Sequence, residues 1–276
     1  MSVDADGPAM PWRSDLLSSL PGIAHGVTWR VAGLGRANGN VAFSAPRDRE
    51  DAWTMRQWWC SASGFAPEHL VTLGQVHGRD VHVVTAAHVG HGAMPGSPPI
   101  GLGDALITNQ AGPVLMTLHA DCQPILFVDP GSRRRGPAVG VAHAGWRGTV
   151  AGVAAAMLEA MAAAYGARPE DVHVCLGPAI GSCCYDVGDD VVSAWRHHAG
   201  NDAEVALERS GERYRYSLTA ANALLLDRAG VRAANVEASA ICTKCHGDRW
   251  FSHRDQGAHT GRFGAMIALR GDGVTG

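Results

Sequence analysis

The sequence predicts a single α/β domain, and three observations carry that prediction. Between about residues 104 and 177, short apolar runs alternate with one alanine-rich stretch of helical periodicity, the texture of strands laid against helices. Glycine and proline punctuation stays short, as in HGAMPGSPPIGLG at 91–103, and no internal repeat or low-complexity linker divides the chain. At 276 residues the chain also has enough mass to bury a substantial core.

Taken in order, residues 1–20 read as a flexible tail and 21–276 as one catalytic domain. The opening MSVDADGPAMPWRSD has neither the basic n-region nor the apolar h-region of a secretory signal. DALIT (104–108), VLMTLHA (114–120), PILFVDP (124–130), AVGVAHA (138–144) and VHVCLG (172–177) read as buried strands bounded by turn residues. GSRRRG at 131–136 reads as a solvated turn between two of them. One helix is expected from Thr149 to Tyr165, where Val150, Val153, Met157, Leu158 and Met161 recur at helical spacing and Gly166 with Pro169 supplies the stop.

Composition narrows the function classes. With 46 % hydrophobic and 18 % charged residues the chain is globular rather than disordered. A net charge of -3 leaves no basic footprint for a phosphate backbone, so nucleic acid is not an expected partner. No stretch approaches the roughly 18 apolar residues of a membrane span. Seven cysteines cannot close into pairs, and with no export signal they predict a cytoplasmic protein whose reduced thiols are available for metal or nucleophilic chemistry.

Three segments share one plan, an apolar run delivering a metal-capable side chain where a polar or glycine-rich turn begins. They are TLGQVHG with His77, MTLHADCQP with Cys122 and VGVAHAGWRG with His143. Strand ends on one side of a sheet are where α/β proteins gather ligands. Two imidazoles and a thiolate suit Zn²⁺, and three protein ligands leave a fourth position for water or substrate, as catalytic sites do. The bland alternative is three unrelated core residues.

In AHAGWRGTV, Gly145 and Gly148 allow a tight turn into a helix start, and Arg147 offers a forked donor for phosphate or carboxylate. GPAIGSCCYDVGDDV and FSHRDQGAHTGRFGAMIAL look like walls of a site. Cys183 and Cys184 read as ordinary thiols, because adjacent cysteines bridge only with strain. CTKCH at 242–246 has the spacing of c-type haem attachment, but that chemistry needs export, and no second CxxC completes a four-ligand zinc site. A pair of loop thiols is the default reading.

Taken together, QVHG (75–78), DALIT, ADCQP (120–124), HAGWRGT (143–149) and the two wall segments resemble, in order, the YfiH-like family over about 24–269. That family was once labelled laccase-domain or multicopper polyphenol oxidase and is now regarded as purine nucleoside phosphorylase. The resemblance implies a single-domain α-β-β-α sandwich with Zn²⁺ held by His77, Cys122 and His143, the same three residues forming the catalytic centre. It implies phosphorolysis of adenosine, inosine and related nucleosides with adenosine deaminase activity, so that purine nucleosides and phosphate are the partners. Asn40, Arg56 and Gln75 join Arg147 as expected substrate contacts, and His119 is a fourth ligand or a partner of one.

Three other readings compete. Copper in place of zinc would fit a laccase-type polyphenol oxidase, yet such enzymes need many histidines in HxH pairs, and no HxH occurs here. A metal-free cysteine hydrolase or amidase would use Cys122 as nucleophile with His77 or His143 as base. A non-catalytic binding module would take up metal without turnover.

Overall fold

Two sheets face each other across one core, and helices cover their outer sides. The computed structural model describes residues 9–271. The first sheet has the order β1 (Ile23–Val27), β13 (Phe263–Leu269), β5 (Val114–His119), β2 (Leu70–Val71). The second has the order β12 (Val236–Ala238), β8 (His173–Leu176), β6 (Gln123–Asp129), β7 (Ala138–Ala144), β4 (Ala105–Thr108), β3 (Val81–Val83). β6, β7 and β13 are buried along their whole length, which is why they read as continuous apolar runs rather than alternating ones.

Leu106, Leu115, Leu126, Val141, Ala265 and Ile267 fill the layer between the sheets. α2 (Arg49–Ser63) lays Met55, Trp59 and Cys60 on the outer face of the first sheet, against Met116 and Met266. α4 (Val153–Tyr165) and α6 (Leu218–Arg228) cover the second sheet through Val153, Met157, Met161 and Leu226. The order of layers is therefore helix, sheet, sheet, helix, the expected α-β-β-α sandwich. A smaller unit is added by β9 (Asp186–Val187), α5 (Asp189–Ala199), β10 (Leu207–Ser210) and β11 (Arg213–Tyr216), packed around Trp195 and Tyr216.

All five strands expected between 104 and 177 are present, and GSRRRG turns between β6 and β7 with Arg133 and Arg134 exposed. Arg135 departs from the solvated reading, because its guanidinium pairs with the buried Asp129. The expected helix is two helices. α3 (Trp146–Ala151) starts earlier than Thr149, and Gly152 at φ 84 breaks the run before α4. Gly148 sits inside α3 because a Cβ there would lie 3.0 Å from the Gly78 carbonyl oxygen.

The expected tail also differs. Residues 1–8 lie outside the described residues, but Trp12 pairs with Val27, and α1 (Asp15–Ser18) buries Leu17 in the central core. The Glu237 carboxylate fixes that segment by accepting from the Ser14 hydroxyl at 2.7 Å and the Leu16 N–H at 2.6 Å. One large buried apolar side chain and a half-buried acid partner on β12 outweigh a polar local composition.

Candidate metal centre and active site

From β5 to β6 the chain passes from the first sheet to the second, and the site forms at that crossing. Cys122 lies in the three-residue turn between them, while His143 is the penultimate residue of β7, next to β6. His77 stands in a loop beyond β2, not at a strand end, and reaches the others by an unusual backbone: its φ is 62, and Asp121 beside Cys122 has φ 81. Positive φ is uncommon for non-glycine residues and persists where surroundings enforce it.

Asp104 does the enforcing. This wholly buried carboxylate accepts the N–H groups of His77 (3.0 Å), Gly78 (2.6 Å) and Val76 (3.2 Å) and so ties down the loop. It also takes Nδ1–H of His143 at 2.8 Å, which fixes the tautomer and leaves Nε2 for a ligand. Burial opposes its charge, but the His143 and Gly78 donors hold its carboxyl below the usual range.

The donor atoms of His77, Cys122 and His143 all lie within 4.8 Å of one another. Ligands about 2.0–2.3 Å from one zinc ion must come about that close, so the set fits the metal without rearrangement of the fold. Gly145 makes room: a Cβ there would meet the Cys122 sulfur at 2.8 Å and His77 Cδ2 at 3.1 Å. His143 is buried, Cys122 half-buried and His77 exposed, so the centre opens to solvent on the His77 side.

Among the protein groups alone, burial pushes the Cys122 thiol up, but His143 and His77 beside it bring it down to about 6. Burial likewise lowers His143, and the Cys122 charge with Asp104 reverses this and raises it to about 9. The pair is a thiolate and an imidazolium, the form that gives up one proton when a metal replaces it.

His119 is not a ligand here. Its Nδ1 donates to the Cys122 carbonyl at 3.1 Å, and its Nε2 accepts from Thr117 Oγ1 at 2.8 Å, so both ring nitrogens are engaged. Burial first, then the neighbouring His143, keeps it neutral. Asp121 is a brace: its oxygens accept from Thr243 Oγ1 (2.7 Å) and the Arg254 N–H (2.6 Å).

The expected substrate contacts divide. Arg147 is exposed, lies over the Trp146 ring at 4.3 Å and has no carboxylate partner among the described residues. Asn40 and Arg56 are buried among backbone groups instead. Asn40 binds Ala42 and accepts the Arg262 N–H at 2.9 Å. Arg56 donates to the carbonyls of Val41, Gly92 and Ala93 and stacks on Phe43 at 3.8 Å. The Gln75 amide is paired both ways with the Leu118 backbone, at 2.9 and 2.8 Å. Asn and Gln side chains mimic a peptide group and Arg offers several donors, so each was taken up by irregular backbone that lacked ladder partners.

Two features escaped sequence reasoning. Asp104 stood in the DALIT motif, but nothing local marks a strand-leading Asp as an orienting carboxylate. The pKa of Arg262 is lowered to about 10, chiefly by burial and then by Arg47, while the charges of Cys122 and Asp121 pull the other way. Arg254 lies over the Tyr185 ring at 5.0 Å, Ile180 N–H donates to the Asp121 carbonyl at 2.9 Å and Arg254 N–H to the Asp121 carboxylate, so the two segments meet and pack against the Asp121–Cys122 turn. α7 (His253–Gln256) carries Arg254 there, with Ser252 capping it.

An α-β-β-α sandwich with a two-histidine, one-cysteine cluster able to hold a metal at its sheet crossing defines a class of α/β proteins, and its relatives give it a family. The family model described as multi-copper polyphenol oxidoreductase laccase matches residues 24–270, and the chain belongs to that family. It is 36 % identical over 253 residues to a protein of Geobacillus stearothermophilus named purine nucleoside phosphorylase YlmD, covering 90 % of this chain and 91 % of that one. The crystal structure of YlmD from that organism superposes with a TM-score of 0.85 at 34 % identity over 94 % of each chain. A protein named adenosine deaminase RL5, from an unknown prokaryotic organism, is 40 % identical over 161 residues, 58 % of this chain and 59 % of that one. No described helix is long and apolar enough to cross a membrane.

Proposed function

We propose that this chain is a cytoplasmic purine nucleoside phosphorylase acting on adenosine, inosine and related nucleosides, with adenosine deaminase activity at the same centre. Zn²⁺ held by His77, Cys122 and His143 is its cofactor in this reading. The observation that carries it is the convergence of those three donors, with the exposed side of the cluster at His77; Arg147, four residues after His143, has no carboxylate partner among the described residues. The names of its relatives support the two activities.

When bound, the metal supplies a Lewis acid that polarises an oxygen ligand. Everything else falls to the chain. Asp104 holds His143 in the tautomer that ligates and keeps His77 in its left-handed conformation. Arg147 takes phosphate as a bidentate donor, and Arg262 adds positive charge from the opposite wall. In phosphorolysis a phosphate oxygen bonds to C1′ as the C1′–N9 bond breaks, and the electron pair leaves with the purine, which takes up a proton. In deamination water adds at C6 and ammonia leaves. Asn40, Arg56 and Gln75 act as positioning residues, since their polar atoms already hold the backbone of the walls.

A second reading has one observation in its favour. Cys122, His143 and Asp104 stand in line as thiolate, imidazolium and orienting carboxylate, the arrangement of a cysteine hydrolase. Copper oxidation has less: His₂Cys also suits a single copper, but the only other candidate metal cluster among the described residues contains no histidine.

The deciding experiment incubates adenosine and inosine with the protein, with and without phosphate, and separates the products. Phosphate-dependent adenine and hypoxanthine, lost in His77→Ala, is the expected result. Unchanged nucleosides with zinc-loaded protein would overturn the proposal.

A further inference from the structure

We propose a second zinc site, a closed four-thiolate one formed by Cys183, Cys184, Cys242 and Cys245. The four sulfurs lie within 4.8 Å of one another, with Cys245 Sγ 3.5 Å from Cys183 Sγ and 3.4 Å from Cys184 Sγ. These separations are too long for a disulfide, whose sulfurs are about 2.05 Å apart. They match the edges of a tetrahedron about 2.3 Å in radius, the zinc–thiolate distance.

The topology explains how distant cysteines meet. β8 and β12 are parallel neighbours in the second sheet, and the chain leaves both at the same end. The two exits stay paired: Thr243 N–H donates to the Ala179 carbonyl at 3.0 Å, and Ala179 N–H to that of Ile241 at 3.4 Å. Each exit then turns and presents two thiols, CC from one and CxxC from the other. The second CxxC that the sequence lacks is replaced by an adjacent pair from the neighbouring strand.

The backbone is also arranged for thiolates. Cys242 Sγ accepts the Gly181 N–H at 3.2 Å and the Cys245 N–H at 3.5 Å, so the sulfur is treated as an acceptor from both exits. Such N–H donors orient and stabilise a ligating thiolate from outside its coordination shell. Gly181 is required for this closeness, because a Cβ there would lie 3.1 Å from Cys242 Cβ and 3.2 Å from Cys183 Sγ. Cys242 is buried and Cys183 and Cys245 are exposed, so the quartet has a floor and a route in for the ion. Four sulfur ligands and no vacant position make the site structural, and tetrahedral S₄ selects zinc among common divalent ions.

Its task follows from what is bonded to it. Thr243, next to Cys242, donates to Asp121, which precedes Cys122. Ile180, on the exit that carries Cys183 and Cys184, donates its N–H to the Asp121 carbonyl at 2.9 Å. A zinc ion here staples two walls of that centre without taking part in its chemistry.

The test uses the full chain carrying Cys122→Ser, which removes the only thiolate from the His77 and His143 cluster. Loaded with cobalt(II), this variant is expected to show an intense thiolate-to-cobalt charge-transfer band with tetrahedral d–d absorption, both lost on adding Cys242→Ser and Cys245→Ser. Wild-type protein purified with zinc should hold about two zinc ions per chain and the Cys122→Ser variant about one. A Cys122→Ser protein that gives no cobalt–thiolate band, or that binds no zinc or takes up iron in its place, overturns the proposal, even if the triple variant fails to fold.

Discussion

At the sheet crossing, three mixed donors are held by a buried carboxylate and by left-handed backbone at His77 and Asp121; beyond β8 and β12, four like donors are held by ordinary turns and two N–H···S bonds. The first set has three donors and the second four. A three-donor set needs its members fixed by other groups, and Asp104 does this for His77 and His143. Four thiolates around one ion fix each other, so no orienting acid is needed. Open and closed centres thus differ less in their ligands than in what stands behind them.

The largest effect expected is on the open centre. Cys122→Ser weakens the metal, and losing several kcal/mol of Lewis-acid stabilisation lowers kcat/KM for inosine phosphorolysis by about a thousandfold. Measured beside it, Cys242→Ser should act on melting temperature more than on kcat. Equal loss of kcat in both variants would erase the distinction between the centres.

Next comes a pH effect outside both clusters, useful for separating acid unfolding from metal loss. His25 on β1 accepts the Ser14 N–H at 3.0 Å, and burial first, then Arg13, lowers its pKa from 6.5 to about 4. The unfolded chain therefore binds this proton more readily. Stability is full above about pH 6.5 and falls as pH drops toward 4, by about 3 kcal/mol. Urea unfolding of chelator-treated protein at about pH 7 and about pH 4.5 measures it. An unchanged acid slope in His25→Gln would assign the loss elsewhere.

Smaller effects sharpen the contrast within the open centre. Asp104→Asn frees His143 to rotate and loosens the 76–78 loop, and should reduce zinc affinity and turnover about 10–100-fold, read by competition with a chromogenic chelator. Arg147→Ala removes a charged donor worth about 1.5–3 kcal/mol, so the KM for phosphate rises about 10–100-fold while adenosine deamination is unaffected. A parallel fall in deamination would mean that Arg147 supports the wall and not the phosphate.

The strands and the residues that cluster at the crossing were legible because each strand is a continuous apolar run and Cys122 and His143 stand where such a run meets a turn. Asp104 was not, since its four donors come from residues 76–78 and 143; β4 pairing with β7 brings in His143, and the bridge between Gly74 and Leu102 brings in the 76–78 loop. The thiol quartet was half legible as CxxC, but its other half depends on β8 lying beside β12. α3 was missed because glycines at 145 and 148 argue for a turn; there they provide clearance for the Cys122 sulfur and the Gly78 carbonyl. Asn40 and Arg56 are expected as substrate contacts from the family resemblance alone, and in the structure their polar atoms satisfy buried carbonyls and N–H groups.

Stripping the protein with a chelator and restoring zinc stepwise, while following adenine and ribose 1-phosphate formed from adenosine and phosphate, addresses the open centre most directly. Turnover should be absent in the stripped protein, return in step with zinc occupancy, and stay absent in His77→Ala at any zinc concentration. Full turnover by stripped protein, abolished by alkylating Cys122, would contradict the metal-dependent reading and leave Cys122, His143 and Asp104 as a hydrolase triad.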